Sequence, residues 1–305
     1  MRRSDFLKTS LLAGIALSSG ASAFANTCSA KPKAGKPFSL NYAPHFGMFN
    51  SLAGDDLIKQ LQFMYEQGFR AIEDNGMMGR PVSEQEKIGK ELTRLGMTMG
   101  VFVLDKGGNA QNSLAAGKPE YVDIFLDGCK RAVDVAKRVN AKWVTVVPGD
   151  FERKLPVGIQ TGNVIEALRR GVEILAPHGI TMVLEPLSDT PDLFLRNSDQ
   201  TYTICKAVNS PNCKLLFDIY HMQRNEGNLI ANMDRNWDEI AYIQIGDNPG
   251  RNEPTTGEIN FKNIFKFLHE KGYKGVLGME HGMAGKGKEG ELALIQAYRQ
   301  VDNFA

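Results

Sequence analysis

From residue 38 onward, short apolar runs alternate with longer segments whose apolar positions recur every three or four residues. The runs fall at 38–43, 69–73, 98–104, 142–147, 181–187, 214–220, 241–246 and 275–280. They are nearly unbroken. "WVTVV" and "TMVLE" set apolar residues side by side, as strands covered on both faces of a parallel sheet do. Between them the helical period predicts helices at about 54–67, 83–95, 119–139, 161–177, 199–208, 229–239, 260–271 and 289–303. Gly68, Gly96, Gly179 and Gly272 each stand just before a run, where a left-handed residue ends a helix. Ser83, with Glu86 three residues later, predicts a capping box, and Thr161, Ser198 and Asn260 suit helix starts.

Eight β/α units in series, with crossovers of one hand, predict a (β/α)8 TIM barrel: eight parallel strands with helices outside. A doubly wound open sheet is the alternative, but no glycine-rich phosphate loop follows the first run. A chain of 305 residues suits one such barrel, and a single domain over 38–305 is expected.

The first 25 residues follow a different order. Arg2, Arg3 and Lys8 precede an apolar stretch from Leu11 to Leu17, and Ala23-Phe24-Ala25 ends on small residues. That is the order of a signal peptide, too short in its apolar part to span a bilayer stably. "RRSDFLK" resembles a twin-arginine export signal. Export, to a periplasm, is therefore expected, with residues 26–37, rich in Lys, Pro, Ala and Gly, as a linker. Removing residues 1–25 leaves 33 basic against 34 acidic residues, a net −1 where the whole chain has +1. No basic patch points to nucleic acid. Cys28, Cys129, Cys205 and Cys213 match neither a zinc ribbon nor a redox pair, and Cys205 and Cys213 pair only if the fold joins them.

In such barrels chemistry sits at the C-terminal ends of the strands. The fifth run ends on Glu185. The sixth ends on Asp218 and His221, the seventh on Gln244, Asp247 and Asn248, and the eighth on Glu280 and His281. From Glu185 to Asp218, Gln244 and Glu280 the successive gaps are 33, 26 and 36 residues, each about one β/α unit. Four oxygen-bearing side chains thus reach one mouth. Singly, each acid reads equally well as a helix cap or an ion-pair partner. Together, three carboxylates repel unless a cation lies among them. An all-oxygen set selects a hard divalent ion such as Mg2+ or Mn2+.

"EPL", "DIYHMQRNEGNL", "IQIGDNPGRNEPTTGEINF" and "MEHG" closely resemble the hydroxypyruvate isomerase group of the xylose isomerase-like barrels, over roughly residues 38–303. The resemblance implies that Glu185, Asp218, Gln244 and Glu280 bind the metal and that Glu185 and Glu280 transfer the proton. It implies a small keto acid or sugar as substrate, with His221 as a hydrogen-bond donor to it. Related ketose 3-epimerases usually carry histidine where Gln244 stands. Arg251 offers a planar fork for an anionic substrate end, against the alternative of a solvated loop arginine. Glu258 either orients Arg251 or caps the next helix. His45, and the glycine- and lysine-rich stretch after His281, depart from the group's pattern.

Three other functions compete. A ketose 3-epimerase acting on a larger sugar would use the same metal and glutamates. An apurinic endonuclease on this barrel needs a histidine-rich zinc cluster, and five histidines with a near-neutral charge count against it. An inert periplasmic sugar-binding barrel is the non-enzymatic alternative, opposed by the presence of both glutamates.

Overall fold

A computed structural model of the chain describes residues 32–304; the expected signal peptide and Cys28 lie outside them. The strands are β1 (Asn41–Ala43), β2 (Ala71–Ile72), β3 (Thr98–Met99), β4 (Trp143–Val146), β5 (Thr181–Leu184), β6 (Cys213–Asp218), β7 (Ile240–Gln244) and β8 (Val276–Gly278). The helices are α1 (Asn50–Ala53), α2 (Leu57–Glu66), α3 (Val82–Leu95), α4 (Pro119–Val139), α5 (Val157–Leu175), α6 (Ser198–Val208), α7 (Ile219–Asn225), α8 (Leu229–Arg235), α9 (Phe261–Glu270) and α10 (Gly287–Val301).

Pairing runs β1-β8-β7-β6-β5-β4 in one sheet and β2-β3 in a second, parallel throughout. Single parallel bridges, His45–Glu73 and Val103–Thr145, join β1 to β2 and β3 to β4. The strands therefore follow one another round a closed barrel, as the eight-unit pattern predicts. Ala43, Ala71, Val101, Val183, Leu216, Tyr242 and Val276 come from strands all round the ring yet form one buried cluster, which is the barrel's interior. The larger apolar core lies between strands and helices.

Glycine ends helices where predicted: Gly96 (φ 71°) and Gly179 (φ 67°) are left-handed caps. The helix starts differ in part. Asn260 does cap α9, accepting from the Asn263 N–H. Ser83 is not a cap: Pro81, fixed at φ −54°, already feeds the chain into α3, so Ser83 falls in its first turn. α5 begins at Val157, four residues before Thr161, and α6 is capped by Asn197 rather than Ser198. The segment expected as one helix over 229–239 breaks at Asn236 into α8 and a short 3-10 turn.

Residues placed in the linker by composition are partly pinned to the barrel. The Gly35 N–H donates to Tyr65 O at 3.3 Å, and Arg70 and Arg299 donate to Gly35 O and Lys36 O, each at 2.8 Å. No helix among the described residues is long and apolar enough to cross a membrane. Cys205 and Cys213 are buried and free, and the fold does bring them together: hydrogen bonding to Cys213, then burial, pushes the Cys205 thiol well up.

Candidate active site

Strand register sets the site. Asp218 and Gln244 are direct partners at the ends of β6 and β7, and Gln244 pairs with Gly278 two residues before Glu280. Glu185 follows β5 directly. One atom each from Glu185, Asp218, His221 and Glu280 lies within 4.8 Å of all the others. Glu185, Asp218, His221 and Gln244 are buried, and Glu280 keeps 23% of its side chain exposed at the mouth.

Local structure explains each placement. The expected sixth strand over 214–220 stops at Asp218 because its Oδ1 accepts the His221 N–H at 3.1 Å and starts α7. The plain capping role of an acid at a strand end is thus real, but it uses only one oxygen. The other, Oδ2, lies 3.3 Å from an Arg251 nitrogen and 3.8 Å from His221 Nε2. α7 then turns His221 back over the cluster. The Ser188 N–H donates to His221 Nδ1 at 3.2 Å, and the Ser188 hydroxyl lies 2.7 Å from the same atom. A nitrogen that accepts a backbone N–H carries no proton, so in the neutral ring the proton is on Nε2. Burial lowers the His221 pKa and keeps the ring neutral. Its Nε2–H therefore points into the cluster as a donor.

Arg251 is delivered by a loop built on Asp247. That buried carboxylate accepts the N–H groups of Asn248, Gly257 and Ile259. Arg251 bridges Asp218 and Glu280, at 3.3 and 2.9 Å, and its guanidinium lies over the Tyr220 ring at 4.9 Å. It is thus no solvated loop residue: it is the cluster's internal cation. Glu258 stands apart. It is exposed, accepts from Asn248 at 2.9 Å and Gln223 at 3.3 Å, and neither touches Arg251 nor caps α9. Of the two roles expected for it, the helix cap is taken by Asn260, and the hydrogen bonds Glu258 does make tie the loop to α7. His281, next to Glu280, points away: its ring nitrogens lie 2.7 Å from Tyr298 Oη and 2.7 Å from Gly282 O, and burial lowers its pKa to about 4.

Two residues in the site went unnamed by the strand-end pattern. Asn75 donates to Glu280 Oε1 at 2.7 Å. Glu73, wholly buried at the end of the second run, accepts from Tyr242 Oη (2.7 Å), Gln244 Nε2 (2.9 Å) and His45 Nε2 (2.9 Å). Burial disfavours the His45 cation, but the hydrogen bond and charge of Glu73 outweigh it and raise the His45 pKa. The signal was present as "AIEDN", two acids and an amide closing an apolar run.

The electrostatics call for a further positive charge. Burial, then Glu280 and Asp218, push the Glu185 carboxyl well above its ordinary range. Burial, opposed by Arg251 and reinforced by Asp218 and Glu73, raises Glu280 to about 8. Three carboxylates face one guanidinium, so full ionisation leaves two negative charges in a desolvated pocket. Glu185 Oε1 and Gln244 Oε1 are buried there without hydrogen-bond partners. Orphaned oxygens and a deficit of two charges fit a hard divalent cation. Beside Glu280 a cleft of about 430 Å³ opens, lined among others by His45, Phe46, Asn75 and Met283.

Residues 61–299 match the family described as xylose isomerase-like TIM barrel. Hydroxypyruvate isomerase of Escherichia coli (strain K12) is 34% identical over 169 residues, 53% of this chain and 64% of that enzyme's length. 2-Oxo-tetronate isomerase of Cupriavidus necator is 30% identical over 218 residues, 70% of this chain and 82% of that protein. A crystal structure described as AP endonuclease, family 2, from Brucella melitensis superposes with a TM-score of 0.71 at 25% identity, covering 82% of this chain and 96% of that one.

Proposed function

This chain belongs to the xylose isomerase-like TIM barrel family and is an isomerase-type enzyme; from that premise we propose that it moves a carbonyl along a short hydroxy keto acid, with hydroxypyruvate giving tartronate semialdehyde as the leading case. The observation that supports this reading is two glutamates, Glu185 buried and Glu280 at the mouth, converging with Asp218 and a donating His221, beside Gln244 at the end of β7 with its buried, unpartnered oxygen.

Glu185, Asp218, Gln244 and Glu280 are the residues that would hold a divalent cation, Mg2+ or Mn2+, and when bound it would polarise the substrate carbonyl and offset the negative charge that grows as the C–H bond breaks. The chain's own groups do the rest. One glutamate removes the proton from the carbon bearing the terminal hydroxyl, and the other returns a proton to the former carbonyl carbon. The hydroxyl proton passes to the old carbonyl oxygen, so atoms balance with no co-reactant. No hydrogen bond from the described residues holds the Glu185 carboxylate, which leaves one oxygen for the cation and the other to accept a proton. Both Glu280 oxygens are held, by Asn75 and Arg251, which fixes the orientation of its carboxyl. His221 donates to a substrate oxygen.

A second reading is epimerisation at carbon 3 of a larger ketose by the same pair of glutamates. The cleft of about 430 Å³ beside Glu280 supports it, because it offers room beyond a three-carbon acid. The order of residues 1–25 supports a periplasmic setting for either reaction.

The test is hydrogen exchange in D2O with Mn2+ or Mg2+ present, over hydroxypyruvate, other short keto acids and ketoses. Deuterium should enter at carbon in at least one of them. Glu185→Gln and Glu280→Gln should each slow turnover by about 10²–10⁴-fold. No carbon-bound exchange in any substrate, or turnover in both variants within a few-fold of the parent, sinks the two-glutamate reaction.

A further inference from the structure

Glu73 makes its hydrogen bonds to His45, Tyr242 and Gln244 and none to Glu185, Asp218 or Glu280, yet the barrel interior is shaped round it. Gly278 on β8 has no side chain at the one place where a Cβ would lie 1.8 Å from Glu73 Oε2. Ala43 and Ala71 keep neighbouring interior positions small. Into that space come three donors from two sides: Tyr242 and Gln244 from β7, and His45 from beyond β1. A wholly buried carboxylate with three hydrogen bonds is held in one orientation.

We propose that Glu73 is a positioning residue: by accepting the Nε2–H of Gln244 it fixes which end of that amide faces the reaction centre. The inference rests on the metal reading above. A side-chain amide has an oxygen at one corner and an NH2 at the other, and only the NH2 can face a carboxylate. With Nε2 committed to Glu73 at 2.9 Å, Gln244 Oε1 turns toward the cluster, where it is buried and without a partner. Turned the other way, Gln244 would present two N–H groups, which repel a cation. The choice follows from the chemistry of the two neighbours and does not depend on distinguishing nitrogen from oxygen by position. Tyr242 makes the arrangement one-sided. Its oxygen receives the Val101 N–H at 3.3 Å, so its own proton must go to Glu73.

Glu73→Gln exposes this dependence. Tyr242 still needs an acceptor, so the new amide turns its oxygen to Tyr242 and its NH2 to Gln244 and His45, and the neutral His45 ring meets it by taking the tautomer with a bare Nε2. Gln244 must then flip and point NH2 at the cluster. The exchange Glu73→Gln with Gln244→Glu restores the match: Gln at 73 donates, and Glu at 244 accepts while offering its second oxygen to the cluster.

The experiment is calorimetric titration of the full chain, stripped by chelator, with MnCl2, alongside circular dichroism and thermal melting to establish folding. Relative to the parent, Glu73→Gln should bind Mn2+ about 10–100-fold more weakly, the range seen when a group supporting a metal ligand is lost. The paired exchange should regain affinity to within a few-fold. A residue that mattered only for packing would not be rescued this way. Parent-like affinity in Glu73→Gln, or a folded paired variant that binds no Mn2+, overturns the proposal. Should Glu73→Gln fail to fold, recovery of both folding and Mn2+ affinity in the paired variant supports it. If the parent itself binds no Mn2+, it is the metal reading that fails.

Discussion

Chelated protein should lose stability as the pH rises from acid to mildly alkaline, and Glu280 should account for much of the loss. Burial, only partly countered by Arg251, lifts its carboxyl from an ordinary 4.5 to about 8 in the fold. Below pH 4.5 both folded and unfolded chains carry the proton, and the group makes no difference. Between 4.5 and 8 the unfolded chain has released its proton while the fold retains it, so folding must take a proton up. Each pH unit then costs about 1.4 kcal/mol, and above pH 8 the penalty stays constant. The span from 4.5 to about 8 gives a total of at most about 5 kcal/mol. Glu185, raised by burial and by Glu280 and Asp218, acts in the same direction. So does His45, whose raised pKa stabilises the fold at low pH and loses that effect as pH climbs through it. The parent slope is therefore a sum, and the difference from Glu280→Gln isolates one group. Melting followed by circular dichroism in EDTA, in half-unit pH steps, reads it. In a chain of this size roughly 2 °C per kcal/mol gives a Tm difference of about 10 °C across the range. Saturating Mn2+ should flatten or reverse the slope, since a cation needs the carboxylates ionised. A chelated parent whose Tm is level or rising from pH 5 to 8 refutes the reasoning, as does a Glu280→Gln slope equal to the parent's.

Gly278→Ala should be costly for a small change. Its Cβ would meet Glu73 Oε2 at 1.8 Å and Cδ at 2.6 Å, and overpacking of a core typically costs about 1–3 kcal/mol. A melting temperature equal to the parent's would show that Glu73 has another resting place. If the order of residues 1–25 acts as an export signal, as proposed, the mature chain should start near Asn26. Intact mass of protein recovered from an exporting host should show that start, and a retained Met1–Ala25 would count against export.

The barrel was legible because its signal repeats. Each apolar run is followed by a helical period and a glycine, and eight repetitions leave little else for the chain to build. The strands proved shorter than their runs. β2 and β3 have two paired residues each, where five- and seven-residue runs were expected, since apolar continuity marks burial on both faces and not ladder length. Strand-end logic likewise brought Glu185, Asp218 and Glu280 together, because register is a property of neighbouring strands. It did not reach Glu73 or Asn75, which act across the barrel on strands seven and eight. Which side chain crosses depends on where small residues such as Gly278 leave space. Arg251 and Glu258 show the same boundary in a loop. Both stand in one motif, but only the folding of that loop round Asp247 turns one inward and leaves the other on the surface.

That division bears on which fourth group would join the three carboxylates. By proximity His221 is the candidate, with its nitrogen in the cluster. The supporting bonds argue against it. A histidine that ligates a metal through one nitrogen normally donates the proton on the other to an acceptor. His221 does the reverse: Nδ1 accepts from the Ser188 N–H, which leaves the proton on Nε2, facing inward. Gln244 has the complementary environment, with its NH2 held by Glu73 and its oxygen buried without a partner. Two neutral side chains of ambiguous polarity are thus set in opposite senses by their outer partners, one as a donor and one as an acceptor. A cation is served by the oxygen of Gln244 and opposed by the N–H of His221, whereas a substrate oxygen that gains negative charge is served by that N–H. On this argument Gln244→Ala should weaken Mn2+ binding, and His221→Ala should leave Mn2+ affinity within a few-fold of the parent while lowering turnover. Loss of Mn2+ affinity in His221→Ala comparable to that in Gln244→Ala would reverse the assignment.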